Sequence, residues 1–362
     1  MNHTLVLLAT PKVGTGKTTL ARYIVEALNI PENQVANIAY TGKASLVLKD
    51  KGLHNCMTAH KLLYHVKELS DGSYEFKPRK ALERDFKLII IDEVSMLPED
   101  MWQLLLSHGI YIIALGDPEQ LPPIDGISTI LDKPHVFLNE IVRQALDNPI
   151  IKLSMEIRNG NKLHYTTSDK RCRILPRSKV SDKMLIGADQ IICGKNKTRN
   201  ELNYYMRKLI LRDKYSDDPV EGDKVICLKN SWDNINNLGN ELVNGTIGTL
   251  RNVCVLETPP YGKVLYADFI SSDGGIYKHL TIDYQLITTG KPTINSENWK
   301  KFVGHSKLLQ FAFGYVITCH KAEGSQYNKV IVFDEAFGDV DMRRRWRYTA
   351  CTRAAEQLVL VV

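Results

Sequence analysis

The chain has 362 residues, 44% hydrophobic and 24% charged, which is a globular composition and excludes disorder or a coiled coil. At ~150 residues per domain the length corresponds to roughly two domains. Lys and Arg total 47 against 41 Asp and Glu, and the resulting +6 permits a polyanionic partner without specifying one.

No apolar run approaches the ~18 to 20 residues that a membrane helix needs. The stretch Leu5–Ala9 is also shorter than the ~7 to 15 residue core of a signal peptide. The chain is therefore expected to be soluble, cytoplasmic and unexported. Seven cysteines, Cys56, Cys172, Cys193, Cys227, Cys254, Cys319 and Cys351, form an odd, dispersed set with no Cys-x-x-Cys spacing, and are read as reduced thiols.

In chain order, β-branched runs predict strands at 4–9, 35–40, 88–91, 110–115 and 136–138, each ahead of a polar or glycine-containing turn. Amphipathic stretches lie between them, as in a parallel sheet with crossover helices. Within this half, residues 65–87 centre on Asp71-Gly72-Ser73 and read either as a hairpin insertion or as a surface loop. A second strand set, 190–193, 315–317, 329–333 and 357–362, is separated by helical segments such as 198–211. Between 221 and 300 the pattern changes to short alternating segments broken by Gly and Asn, which suggests a small β module inserted in the second domain. The expectation is α/β, with domains at 1–145 and 146–362.

The strongest local signal is Gly14-Thr15-Gly16-Lys17-Thr18-Thr19, placed between an apolar strand and the amphipathic segment 20–28. Successive backbone N–H groups at a helix N-terminus, aided by the helix dipole, cradle a phosphate chain. Lys17 would meet the β- and γ-phosphates and Thr18 would take a Mg²⁺ position. Pro11 stands where the first glycine of such loops is usual. The run 88–91 ends in Asp92-Glu93, so a buried strand delivers two carboxylates to the sheet edge where ligands bind. Asp92 would hold Mg²⁺ and Glu93 would orient and deprotonate the attacking water of NTP hydrolysis. The next strand runs into Gly116-Asp117-Pro118-Glu119-Gln120-Leu121-Pro122-Pro123, which places Gln120 to sense the γ-phosphate.

At these residues the chain resembles the superfamily 1 helicases of the RecD-like and Dda-like branch, close to the PIF-type helicases. Further signatures follow in that family's order: Thr58-Ala59-His60, Arg143-Gln144, 242–245 (Leu-Val-Asn-Gly), 318–326 (Thr-Cys-His-Lys-Ala-Glu-Gly-Ser-Gln) and 348–354 (Tyr-Thr-Ala-Cys-Thr-Arg-Ala). The resemblance implies two tandem RecA-like P-loop NTPase domains with ATP between them. It also implies an SH3-like β insertion in the second and a short pin hairpin in the first, with Tyr74 or Phe76 stacking on the last base pair. Arg143 and Arg353 would be arginine fingers, and Gly324 would join Gly14, Thr15, Gly16, Lys17, Thr18 and Thr19 at the nucleotide. Single-stranded DNA would contact Thr41, Gly42, Lys43, Thr58 and His60 from the first domain and Asn196, Asn244, Thr318 and His320 from the second. The implied cofactors are ATP and Mg²⁺. The implied partners are single-stranded and forked duplex DNA with replication or recombination proteins, for a monomeric 5′-to-3′ translocase.

Two departures stand out: Tyr40 where Pro is usual before Thr-Gly, and Glu323 where Gln is usual in His-Lys-x-Gln-Gly. An extra carboxylate beside phosphates repels them unless a cation pairs with it. The run Arg343-Arg344-Arg345 is read as an exposed basic face. Two rivals stay open, a P-loop phosphotransferase and a non-catalytic DNA-binding regulator on a helicase frame.

Overall fold

The computed structural model describes residues 5–9, 17–68, 74–123, 130–138, 147–164, 169–295, 298–302 and 307–362. Aliphatic runs of the first half assemble one parallel sheet. Its strands are β1 (Leu5–Ala9), β2 (Val35–Ala39), β3 (Cys56–Thr58), β6 (Leu88–Asp92), β7 (Tyr111–Gly116) and β8 (Val136–Phe137), in the order β3-β2-β6-β7-β1-β8. β2 is buried at every position and β6 through Ile91, as strands covered on both faces require. Because β7 lies between β1 and β6, their C-terminal ends stand two strand spacings apart, roughly 10 Å. Between β3 and β6, β4 (Tyr64–Glu68) and β5 (Tyr74–Pro78) pair as an antiparallel ribbon from Tyr64↔Pro78 to Glu68↔Tyr74. The Asp71-Gly72-Ser73 turn lies outside the described residues.

The second parallel sheet has the order β18-β10-β19-β20-β9. Its strands are β9 (Cys172–Leu175), β10 (Gln190–Cys193), β18 (Val316–Thr318), β19 (Tyr327–Phe333) and β20 (Ala354–Val361). An antiparallel sheet of order β16-β15-β14-β11-β17 interrupts it, built from β11 (Lys224–Cys227), β14 (Ile247–Thr258), β15 (Gly262–Ser271), β16 (Ile276–Ile282) and β17 (Phe311–Phe313). This sheet reaches past residue 300, because β11 pairs with Phe311–Phe313 and Phe311 packs edge-on against Phe269 at 5.2 Å. It is not a separate globule either. Val225, Leu250, Phe269 and Phe311 share one core with Ile191, Val316, Ile331 and Val359 of the parallel sheet. A fully buried Arg207–Asp223 pair, Nε to Oδ1 at 2.8 Å, ties the long helix Asn196–Leu211 to the approach to β11. A short ribbon, β12 (Ser231–Ile235) with β13 (Glu241–Leu242), projects from this module toward the first sheet.

Candidate functional site: an interlobe cleft

Parallel strands put all their C-terminal ends on one edge, and the chemistry-bearing residues collect there. β1 leads into helix Lys17–Ala27, so Lys17, Thr18 and Thr19 form its first turn, where unpaired N–H groups and the helix dipole favour an anion. Gly14, Thr15, Gly16 and Arg143 lie outside the described residues. β6 ends at Asp92, whose Oδ1 accepts the Glu93 backbone N–H at 2.9 Å. Glu93 adopts a left-handed backbone (φ 53°, ψ 44°), a conformation that costs a non-glycine residue about 1–3 kcal/mol. The chain thereby turns off the strand end, and Glu93 Oε2 is left buried without a hydrogen-bond partner among the described residues.

The turn after β7 is anchored to the second lobe. Tyr348 donates its hydroxyl to Asp117 Oδ2 at 2.6 Å, the Leu121 N–H donates to Thr349 Oγ1 at 3.0 Å, and Arg345 Nη1 donates to the Pro118 carbonyl at 2.6 Å. Glu119 pairs with Arg344 and, at 3.7 Å, with Arg158. All of these partners except Arg158 belong to the helix Val340–Cys351. Burial, with Asp117 adding to it, raises the Tyr348 phenol well above its ordinary range, so it remains the donor. Gln120 is buried within this turn, its N–H on the Asp117 carbonyl at 3.2 Å.

One expectation is overturned here: Arg343-Arg344-Arg345 is not an exposed basic face. Consecutive helical residues point about 100° apart, and Arg344 and Arg345 face the first lobe while Asp341 holds both, at 2.6 and 2.7 Å. Arg343 alone of the three is exposed. Arg353 follows the same helix and is 5% exposed. Its Nε donates to the Thr349 carbonyl at 3.0 Å and its Nη2 to the Thr352 hydroxyl at 3.2 Å.

Between the lobes runs a cleft of about 550 Å³. Thr41, Gly42, Lys43 and His60 line it from the first lobe, and Asn196, Asn244, Thr318 and His320 from the second. Thr58 does not. It is 4% exposed, and its hydroxyl caps the short helix Ala59–Leu63 by accepting the Lys61 N–H at 3.2 Å, because the residue preceding a helix turns its oxygen inward to the free N–H groups. Gly324, expected at the nucleotide, packs on the helix Gly42–Asp50 and its cap: at φ 70° a Cβ there would stand 3.0 Å from Ala44 Cβ and 3.1 Å from Thr41 Oγ1. Gly42 is equally constrained, since its Cβ would fall 2.5 Å from that of Val243 in the opposite lobe.

Aromatic faces flank the cleft. His60 lies 5.5 Å from Tyr40 and from Phe76, and His320 lies 6.2 Å from Phe337. Burial lowers the pKa of both imidazoles, so at neutral pH they offer ring faces and hydrogen bonds rather than charge. Phe76 is 44% exposed midway along the β4–β5 ribbon, and Tyr74 opens β5. Sequence reasoning missed Phe337 and Asn230, which line the cleft from outside the quoted motifs, and passed over Lys321 within one. Lys321 donates to Asn244 Oδ1 at 3.0 Å. On the far side the β12–β13 ribbon meets the first lobe through Lys61–Glu241 at 2.9 Å and Lys49 Nζ to Asn240 Oδ1 at 2.5 Å.

Family models match both parts of the chain, an AAA domain over residues 1–174 and a UvrD-like helicase C-terminal domain over residues 313–361. Over 381 residues the chain is 27% identical to the ATP-dependent RecD2 DNA helicase of Deinococcus radiodurans, covering 98% of this chain and 46% of that protein. It is 28% identical over 163 residues to the ATP-dependent DNA helicase dda of Enterobacteria phage T4, covering 41% of this chain and 36% of that one. The chain thus spans less than half the length of these two curated relatives. Among solved structures, Pif1 helicase at forked double-stranded DNA matches with a TM-score of 0.60, and Bacteroides Pif1 bound to single-stranded DNA with 0.56. Each is 18% identical and covers 99% of this chain and 88% of the other, so the two share its fold. Motifs in order along two parallel sheets, with a match to a helicase over 98% of the chain, lead to one conclusion: the chain is similar to the Pif1/RecD-like helicases of superfamily 1.

Proposed function

We propose that this chain is an ATP- and Mg²⁺-dependent DNA helicase that translocates 5′ to 3′ on single-stranded DNA and opens forked duplexes as a monomer. The observation that carries the reading is the shared seam. Glu93 of the first lobe and Arg353 of the second act on the same buried carboxylate, Glu323, which itself lines the interlobe cleft. A group that hydrolyses nucleotide and a cleft sized for a strand are therefore built from the same two edges.

The residues present fit a magnesium nucleotide. Asp92 supplies a hard oxygen donor at the strand end, Glu93 an unmet acceptor, and Lys17 and Thr18 the first turn of a helix. Bound there, the nucleotide supplies a transferable phosphoryl group and its metal neutralises charge. Lys17 and Thr18 would hold phosphate and metal with Asp92, Glu93 would orient a water and accept its proton, and Gln120 would report on the γ-phosphate through the turn gripped by Tyr348. Arg143 and Arg353 would approach as arginine fingers, an effect worth ~10³ to 10⁵ in rate. In the cleft, Lys43 and backbone amides would grip phosphates, while Tyr40, His60, His320 and Phe337 would present faces to bases. The exposed Phe76 on the β4–β5 ribbon would meet the duplex junction.

The test is ATP turnover with and without oligo-dT, together with unwinding of forked duplexes carrying 5′ or 3′ tails. Strong stimulation and unwinding from the 5′ tail are expected. Lys17→Ala should abolish nucleotide binding, whereas Glu93→Gln should bind nucleotide and fail to turn over. Phosphate transfer to a small acceptor, or turnover indifferent to every single strand, would refute the assignment.

A further inference from the structure

At the seam lies a carboxylate for which the nucleotide and strand chemistry just described has no use. Glu323 is 7% exposed, follows the short helix Cys319–Ala322, and lines the cleft. Its Oε1 has no hydrogen-bond partner among the described residues. The guanidinium of Arg353 favours its anion and the carboxylate of Glu93, from the other lobe, opposes it. Lys43, Lys321, His60 and His320 share the cleft wall, with Lys321 and both imidazoles lowered by burial. Gly324, packed on Thr41 and Ala44, holds the backbone beside Glu323 against the first lobe.

We propose that Glu323 governs strand entry at the seam: as an anion in the cleft wall it repels a phosphate backbone, and as the neutral acid it admits one. The inference rests on the helicase reading above. Burial, opposed by Arg353 and reinforced by Glu93, pushes the carboxyl up to about 8, so the two forms exchange near neutral pH. The proton passes to and from water in the cleft, and no other reactant is needed. A strand phosphate brought near Glu323 favours the neutral acid.

The experiment is fluorescence anisotropy of labelled oligo-dT without nucleotide, at fixed salt from pH 7 to 9, for wild type, Glu323→Gln and Glu323→Ala. Wild-type affinity should fall about three- to tenfold more over this range than that of either variant, a tenfold change matching about one pKa unit of coupling to the strand. The variants also separate this loss from that caused by Lys321, which all three proteins share. In the strand-stimulated ATPase, kcat of wild type should show an inflection near pH 8 that Glu323→Gln lacks, with KM for ATP changed less than kcat. Parallel pH profiles for all three proteins would overturn the proposal. A wild-type chain that binds no strand at any pH would instead overturn the helicase reading, and this inference with it.

Discussion

Tyr348→Phe isolates the latch between the lobes, because it removes one hydroxyl and leaves the ring in place. The bond lost joins residues 231 positions apart and ends on Asp117, which is 1% exposed and cannot turn to water for a replacement donor. A hydrogen bond to a charged group contributes about 1.5–3 kcal/mol, and the Glu119 N–H at 3.0 Å on Asp117 Oδ1 stays in place. At about 2–4 °C per kcal/mol for a domain of this size, the melting temperature should fall by roughly 3–12 °C. Scanning calorimetry measures the shift, and a cycle with Asp117→Asn apportions it. A coupling energy above about 1 kcal/mol is expected for the pair. Because the same turn carries Gln120, stimulation of ATPase by oligo-dT should drop while oligo-dT affinity holds. A shift below about 1 °C with no coupling in the cycle would show that the latch carries neither stability nor signal.

Phe337 is 40% exposed beside His320, and Phe337→Ala should weaken oligo-dT binding by about 1–3 kcal/mol with little change in unstimulated ATPase; unaltered affinity in anisotropy would remove it as a stacking platform. Gly42→Ala places a methyl 2.5 Å from Val243 Cβ, so the lobes must move apart and strand-stimulated turnover should fall; the double variant with Val243→Ala should recover part of it. Glu323 also makes a stability prediction. Its carboxyl ionises near 4.5 when unfolded and near 8 when folded, so between these values the folded state holds a proton that the unfolded state has lost. Wild-type stability should therefore decline as pH rises from about 4.5 to about 8 and then level off, and Glu323→Gln, lacking this slope, should gain on wild type at pH 8 relative to pH 5. Equal differences at the two pH values in urea titrations would contradict the assigned burial.

Much of the nucleotide side was legible in the sequence because it is built from contiguous backbone. A strand, a glycine turn and a helix start must follow one another to cradle phosphate, and 88–91 must be apolar to reach the sheet edge before Asp92 and Glu93. The strand runs at 35–40 and 190–193 were equally readable, since strands buried on both faces are mainly apolar stretches, here broken only by the buried Asn37 and Gln190. Edge strands β3 and β9 were not, because runs of three or four residues are too short to carry a period.

What lay beyond reading depended on partners far along the chain. Thr58 reads like a strand contact until its hydroxyl is found on the Lys61 N–H, and three consecutive arginines read as solvated until Glu119 and Pro118 arrive from 225 to 227 positions away. Nothing local distinguishes Phe311–Phe313 as the fifth strand of the antiparallel sheet; only the pairing with β11 does. The sequence by itself determined the strand and helix that flank the glycine turn, the acidic strand end and the order of the motifs, since each is a short-range backbone requirement. Only the tertiary structure decided which side chains meet across the seam, and so the burial and charge surroundings that fix how Glu323, Tyr348 and Arg353 behave.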